Sequence, residues 1–324
     1  MTFLSDKALE RLRAAADLPD LTGTRYRLLE KIGQGGMGAV YRAEDTLLGR
    51  DVALKVVSVP DAGANLCERL IREARVIAQL EHPGIVPIHD VGTLADGRTF
   101  YTMKLVNGKR LDQHLPDLGT LPERLRTFLK ICDAVGFAHA KGVLHRDLKP
   151  SNVMIGPFGE VLVMDWGLSK IIRSGTEGHG VSPSQISLTS SGTTGHGDIL
   201  GTPGYMAPEQ ARGDSNVDQR ADVYSLGAIL AVLVRFNHQK PPRALEAIMQ
   251  KAMAPDVANR YQNVDELSGD VARFLEGLPV TAYPEGPLGH AWRWAVKNRA
   301  WLLLIVAYLV MRALLIFFRP QLSR

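Results

Sequence analysis

Apolar and polar positions follow different patterns in the two parts of the chain. From Tyr26 to about Phe100, short apolar runs typical of strands dominate, whereas from Arg110 onward apolar residues recur at helical spacing. Strands followed by helices predict an α+β protein with two lobes. Before this body, residues 5–16 carry apolar residues at helical spacing, and residues 17–24 are a predicted linker.

Two segments depart from this organisation. Residues 173–201 are rich in Ser, Thr, Gly and His, which within a compact domain indicates a functional loop or a disordered insert. Residues 301–318 are apolar except for Arg312. As a helix this segment would measure about 27 Å, close to the ~30 Å hydrocarbon core of a bilayer. It predicts a transmembrane helix, and the alternative is an amphipathic or core helix docked on protein.

Charge is distributed unevenly along the 324 residues. Residues 284–324 hold six of the 38 basic and one of the 34 acidic side chains, so residues 1–283 hold 32 basic and 33 acidic ones. A nearly neutral body argues against nucleic acid as a partner. Basic residues around the apolar tail instead favour an anionic lipid surface.

Cysteine use and the N-terminus bear on the compartment. The two cysteines, Cys67 and Cys132, are far apart, and neither has the spacing of a disulfide framework or a zinc site. Both are interpreted as buried apolar thiols in a reducing compartment. The first residues lack the basic-then-apolar order of a signal peptide.

The first motif that carries chemistry is a glycine-rich run, G-x-G-x-x-G-x-V, over residues 33–40. Glycines let a backbone approach phosphate oxygens. A dinucleotide site shares part of this motif but needs a helix directly after it. Residues 39–43 have the pattern of a strand, which predicts a strand–loop–strand hairpin, and a plain β-turn is the alternative.

A lysine, Lys55, interrupts the apolar strand of residues 52–57. A buried lysine is costly unless it is paired. The helix predicted over residues 64–80 places Glu73 on its apolar side, so the pattern predicts a Lys55–Glu73 ion pair. The alternative is an edge lysine that faces solvent.

The third motif, H-R-D-x-x-x-x-N, covers residues 145–152. Two short predicted strands, 153–155 and 161–164, form a hairpin that brings Asn152 and Asp165 together. Amide and carboxylate oxygens are suited to Mg²⁺. Asp147 remains free to accept a hydroxyl proton.

These motifs, in this order, resemble those of the eukaryotic-like serine/threonine protein kinases of bacteria. The resemblance covers residues 26–277 and includes Asp-Trp-Gly at 165–167 and Ala-Pro-Glu at 207–209. It implies the two-lobed protein kinase fold, with an N-lobe at 26–103 and a C-lobe at 107–277. A juxtamembrane linker (278–300), the transmembrane helix (301–318) and a short tail (319–324) would follow.

The resemblance also implies a role for each matched residue. The residues that would bind ATP are Ile32, Gly33, Gln34, Gly35, Gly36, Met37, Gly38, Ala39, Val40, Ala53, Lys55, Met103, Lys104 and Val106. Among them, Met103 would be the gatekeeper, and backbone groups of Lys104 and Val106 would bond adenine. Lys55, held by Glu73, would contact the α- and β-phosphates. Mg²⁺ or Mn²⁺ would be held by Asn152 and Asp165.

Asp147 would orient and deprotonate the substrate hydroxyl, and Lys149 would neutralise the γ-phosphoryl group. In the C-lobe, Glu209 and Arg260 resemble the family's structural ion pair, and Asp222 resembles the carboxylate that braces the catalytic loop. Lys149 and the run at 201–206 resemble the Ser/Thr subclass rather than the Tyr subclass.

Two departures from the family pattern stand out. Trp166 occupies a position where Phe is usual, so retained activity with altered switching is expected. The C-lobe is shortened between residues 236 and 243, where the family usually has a helix that docks substrates and partners. The lobe is therefore trimmed, or the gene product is incomplete.

The hydroxyl-rich residues 187–194 are predicted to be autophosphorylated in trans, with Thr193 or Thr194 as the activating site. Arg146 and Lys170 could pair with that phosphate. An unmodified disordered insert is the alternative.

The resulting prediction is an ATP-dependent kinase of protein serine and threonine. It would be a single-pass protein of the cytoplasmic membrane, with membrane lipid as a partner and the kinase domain facing the cytoplasm. A pseudokinase scaffold that binds nucleotide without phosphoryl transfer is the rival. A small-molecule kinase is disfavoured by residues 201–209, which resemble a peptide-substrate platform.

Overall fold

The computed structural model describes residues 18–35, 38–57, 71, 74–166, 204–214, 217–236, 240–284 and 298–318. Several predictions fall on residues outside these ranges: the helix at 5–16, most of the helix at 64–80, and the loop at 173–201. The single residues outside them are Gly36, Met37, Cys67, Glu73, Lys170, Thr193 and Thr194.

The N-terminal part is a five-stranded antiparallel sheet in the order β1-β2-β3-β5-β4. Its strands are β1 (Tyr26–Gly35), β2 (Gly38–Asp45), β3 (Arg50–Val57), β4 (Ile88–Thr93) and β5 (Thr99–Lys104). This arrangement confirms the strand-rich N-lobe predicted from the apolar pattern.

Alternation along β3 and β5 gives the sheet two apolar faces, because successive side chains point to opposite sides of a strand. One face, with Val52, Leu54 and Phe100, forms a core of its own. The other face, with Ala53 and Met103, packs into the main core that continues through the C-lobe. Residues with odd numbers on β3 and β5 therefore face the cleft between the two lobes.

The C-terminal part is mainly helical. Its three short strands, β6 (Lys109–Arg110), β7 (Val153–Ile155) and β8 (Val161–Val163), form a second sheet. Its helices are α1 (Leu111–His114), α2 (Leu121–Ala140), α3 (Pro208–Ala211), α4 (Gln219–Arg235), α5 (Arg243–Ala252) and α6 (Val264–Leu275), and α7 (Arg299–Phe318) follows.

Helix α2 begins where its sequence contains a capping box. The Thr120 hydroxyl accepts a hydrogen bond from the Glu123 amide, and the Glu123 carboxylate accepts one from the Thr120 amide. Gly142 follows the helix with φ of 76°, which a glycine adopts readily. The chain therefore turns sharply after α2 and enters the loop that carries the H-R-D motif.

Helix α4 is followed closely by α5, since seven residues separate Arg235 from Arg243. Arg124 of α2 is buried, and its Nη1 donates to the carbonyls of Leu233 (3.0 Å) and Phe236 (3.5 Å). The end of α4 is thus closed by a side chain from α2. Helix α5 buries Leu245, Ile248 and Met249 against the same core.

The C-terminal helix α7 exposes apolar side chains, among them Trp301, Leu303 and Leu309. Among the residues that the structure describes, no helix combines the length and the apolar character needed to cross a membrane.

Candidate active site

The glycine-rich run forms the end of the β1–β2 hairpin. Gly33 lies opposite Val40, and Gly35 lies opposite Gly38, whose φ is 138°. The strand–loop–strand arrangement is as predicted, and the helix required by a dinucleotide site is absent because β2 starts at Gly38. Ile32 and Val40 lie on either side of this hairpin end, a position from which both could cover a bound nucleotide.

Lys55 lies on β3, opposite Val40 on β2 and Tyr101 on β5. Its side chain is 16% exposed, and its Nζ lies 2.5 Å from Oδ1 of Asp165. The alternative of an edge lysine facing solvent is therefore wrong, because β3 is a central strand and the ammonium is paired. The predicted partner Glu73 lies outside the described residues, and the pairing with Asp165 was not predicted.

Both partners of this ion pair are held in their charged forms. Burial by itself raises the pKa of Asp165, but the charge and hydrogen bond of Lys55 outweigh it and lower that pKa below its ordinary value. Burial opposes the charge on Lys55, yet its contacts with Tyr101 and Asp165 raise the pKa of Lys55 above its ordinary value. A cation and an anion therefore face each other across the cleft.

The H-R-D loop is held by Asp222 of α4. This carboxylate accepts hydrogen bonds from the amides of His145 (2.8 Å) and Arg146 (2.7 Å), and it lies 2.8 Å from Nε2 of His139. Burial raises the pKa of Asp222, but its bonds with His139 and the loop amides lower that pKa overall. Asp222 therefore holds the catalytic loop in place, as the resemblance implied. His139 is a further partner of Asp222 that the sequence did not reveal.

Asp147 is oriented by two neighbours. Nζ of Lys149 lies 2.9 Å from Oδ2 of Asp147, and the side-chain nitrogen Nδ2 of Asn152 donates to the Asp147 carbonyl (2.7 Å) and to Oδ2 (3.3 Å). Because Nδ2 of Asn152 is used in this way, the side-chain oxygen Oδ1 is the atom left to bind a cation. A carboxylate, an ammonium group and a side-chain amide thus lie close together within residues 147–152.

The β7–β8 hairpin brings Asn152 beside the segment that contains Asp165, since the Met164 amide donates to the Asn152 carbonyl at 2.8 Å. Asn152 and Asp165 offer two hard oxygen ligands. Mg²⁺ commonly takes one or two carboxylates together with substrate phosphates. No cluster of three His, Cys, Asp or Glu side chains occurs among the described residues. The donor set therefore fits a cation shared with nucleotide phosphates.

Trp166 is buried, 2% exposed, directly after Asp165. Its indole Nε1 donates to the Val163 carbonyl at 3.1 Å, and its ring packs against His145 at 4.8 Å between centroids. The larger ring that replaces the usual Phe is thus accommodated with its polar atom satisfied.

Met103 and Lys104 end β5 at the point where the chain passes between the lobes. The Lys104 amide donates to the Pro87 carbonyl at 3.2 Å. The Lys104 amide is therefore used within the protein, and Val106, the other residue predicted to bond adenine, lies further along the same segment. Behind Met103 a small pocket is lined by Ile77, Val86 and Tyr101.

Two contacts secure the C-lobe around the site. Arg260 forms a buried two-pronged ion pair with Glu209, at 2.7 and 2.8 Å, as the motifs suggested. Gln210, which the motifs did not single out, donates to the Arg146 carbonyl at 3.0 Å.

Tyr101 of β5 is another residue of the site that the motifs did not predict, although strand alternation places it on the same face as Lys55.

Comparisons with known proteins agree with this geometry. The family described as "Protein kinase domain" matches residues 26–281. The chain is 36% identical over 296 residues to serine/threonine-protein kinase PknD of Protochlamydia amoebophila, covering 78% of this chain and 30% of that protein. It is 34% identical over 301 residues to PknD of Chlamydia trachomatis serovar D, covering 79% and 32%. The chain thus spans about a third of the length of these relatives.

Among solved structures, the chain is similar to the crystal structure of the Mycobacterium tuberculosis PknI kinase domain. The TM-score is 0.57 and the identity 26%, over 77% of this chain and 95% of that chain. A second crystal structure of that domain gives the same TM-score and identity and covers 78% and 96%.

Proposed function

This chain belongs to the protein kinase family, and we propose that it transfers the γ-phosphoryl group of ATP to serine and threonine hydroxyls of proteins. One observation carries the proposal: Lys55 is paired with Asp165, Lys149 and Asn152 contact Asp147, and the hydrogen bond from the Met164 amide to the Asn152 carbonyl brings the two groups together. Relatives that carry the name serine/threonine-protein kinase support the choice of hydroxyl.

In this proposal each charged group acts by position. Asp147 accepts the proton of the attacking hydroxyl, because Lys149 and Asn152 fix its carboxylate at the end of the loop. Lys149 then offsets the charge of the transferred phosphoryl group, and Lys55 contacts the other phosphates. Asn152 and Asp165 would hold Mg²⁺, which when bound supplies positive charge to the phosphates.

A radiolabelled-ATP assay on Asp147→Asn tests the proposal. Loss of the proton acceptor should lower phosphoryl transfer at least ~100-fold while nucleotide binding is retained. Asp133→Asn, the same change at an exposed position on α2, is the control and should behave as wild type. Equal background labelling in wild type and Asp147→Asn would leave only a scaffold role.

The same assay addresses autophosphorylation. We propose that the chain is one of its own substrates, in trans, and that label enters residues 187–194. Peptide mapping of the labelled wild-type protein checks this. An active preparation without phosphate on these residues would contradict it.

We further propose that residues 301–318 bind the cytoplasmic membrane through their exposed apolar side chains, so that the kinase domain acts at its cytoplasmic face. Apolar side chains are exposed along α7, for example Leu303 at 68% and Leu309 at 57%. Exposed apolar surface of this kind marks a contact with lipid or protein. Basic residues at 293, 297 and 299 precede the segment and suit anionic lipid.

Flotation with vesicles that contain anionic lipid tests this anchor. Replacing both Leu303 and Leu309 by Asp should reduce the vesicle-bound fraction at least ~10-fold, because each change places a charge on the apolar surface that would contact lipid, and near the centre of a membrane helix one such charge costs about 2.5–3.5 kcal/mol. The control replaces Leu47 and Leu48, two exposed leucines of the β2–β3 turn, by Asp. Equal loss in both variants, or in neither, would contradict the anchor.

A further inference from the structure

The hydroxyl of Tyr101 lies next to Asp165, one of the two candidate metal ligands. Tyr101 lies on β5 opposite Lys55, and the residue is 4% exposed. Its hydroxyl donates to Oδ1 of Asp165 at 3.4 Å, and Nζ of Lys55 lies 5.9 Å from the centre of its ring. Oδ1 of Asp165 therefore has two donors, one from each of two neighbouring strands.

These two donors differ in their freedom to move. Lys55 has a long flexible side chain, and in the proposed function its ammonium contacts the ATP phosphates. The Tyr101 ring is buried in the main core on β5, which lies between β3 and β4, so its hydroxyl has much less freedom to move. When Lys55 turns to a nucleotide, Tyr101 is the described donor that remains on Oδ1.

The backbone of Asp165 has φ of 57°, a left-handed conformation that is uncommon for residues other than glycine. A hydrogen bond on Oδ1 fixes the carboxylate and leaves Oδ2 for a cation. At 3.4 Å this bond is long, and bonds at active sites often tighten only when substrate is bound.

We propose that Tyr101 is a positioning residue that keeps the Asp165 carboxylate directed at a divalent cation while Lys55 binds the nucleotide. The inference deepens the proposed function, on whose ATP site it rests. It assigns to a buried strand residue, outside the motifs, a part in metal-dependent nucleotide binding.

Calorimetric binding of a non-hydrolysable ATP analogue to the full chain tests the inference, with Mg²⁺ and with a chelator. In Tyr101→Phe the gain in affinity that Mg²⁺ provides should fall about 3- to 10-fold, the range of one ordinary hydrogen bond, because this bond is long. Metal-free affinity should stay within about twofold of wild type. Tyr26→Phe is the matched control, since Tyr26 is buried in the same sheet and donates to Asp90 at 2.9 Å.

An unchanged Mg²⁺ effect in Tyr101→Phe would overturn the inference. So would an equal loss of metal-free and metal-dependent affinity, because that would assign Tyr101 a purely structural role. In an Asp165→Asn background, Tyr101→Phe should add no further loss, and an additive loss would also contradict the coupling. Because binding is measured, a wild-type protein that fails to transfer phosphate would overturn the proposed function and not the role of Tyr101.

Discussion

Two residues beside the site hold backbone conformations that only their neighbours can impose. Arg146 has φ of 67° and Asp165 has φ of 57°. Such conformations cost about 1–3 kcal/mol each for residues other than glycine. Asp222 accepts from the Arg146 amide, and Gln210 donates to the Arg146 carbonyl. Since glycine is the residue that marks positive φ in a sequence, the motifs predicted which residues meet but not their conformations.

The hydrogen bonds of the His145 ring favour its neutral form. Its Nδ1 accepts from the Asp147 amide at 3.3 Å, so Nε2, 2.8 Å from the Met164 carbonyl, carries the hydrogen. Burial lowers the pKa of His145, although the nearby Asp222 acts in the opposite direction. A second proton on Nδ1 would face the Asp147 amide.

This arrangement predicts a pH-dependent stability. Since the folded pKa of His145 is below its ordinary value of about 6.5, the unfolded chain takes up a proton that the folded chain does not. Stability should therefore fall as the pH drops below about 6.5, by at most ~1.4 kcal/mol per pH unit from this residue. His145→Gln should flatten the pH dependence of the free energy of unfolding, measured with urea between about pH 7.5 and 5.5.

Burial also lowers the pKa of His89, which adds to the pH dependence in the same direction. Because wild type and His145→Gln both contain His89, its contribution cancels when their pH dependences are compared. Identical slopes in wild type and His145→Gln would show that the ring is not held neutral.

At the level of elements, the junction of α4 and α5 is held by a side chain of α2. The last carbonyls of a helix lack partners within it. Here Arg124 supplies donors to Leu233 and Phe236, and its guanidinium lies 5.7 Å from the centre of the Phe236 ring. The sequence predicted that the lobe is shortened between 236 and 243. It did not predict the closure, because the spacing within α2 does not reveal which helix end Arg124 will reach.

Arg124→Ala should therefore destabilise the C-lobe. The change leaves buried carbonyls without their donor, at a cost of about 1–3 kcal/mol, and it also removes buried contacts of the side chain. Arg126→Ala, at an exposed position on the same helix, is the control and should change the free energy of unfolding by less than about 0.5 kcal/mol. Denaturant unfolding of both variants checks this, and equal effects would rule out the closing role of Arg124.

Considered as a whole, the molecule is close to what its sequence predicted where local pattern and motif agree. Strand alternation and the order of motifs were enough to predict a β-rich lobe, a helical lobe and the hairpin that brings Asn152 beside the segment of Asp165. What could not be predicted depends on contacts between distant elements. The Lys55–Asp165 pair joins residues 110 positions apart. Tyr101 lies beside this pair because the register of β3 and β5 places it opposite Lys55.

The buried thiol of Cys132 has a practical consequence. Cys132 lies on α2 in the core of the C-lobe, and burial raises the pKa of its thiol well above the ordinary value. A thiol reacts with alkylating agents as an accessible thiolate, so this one reacts only after α2 has been exposed. Since the chain has two cysteines, Cys67→Ser leaves Cys132 alone. The labelling rate of that variant then measures how often the C-lobe opens under native conditions.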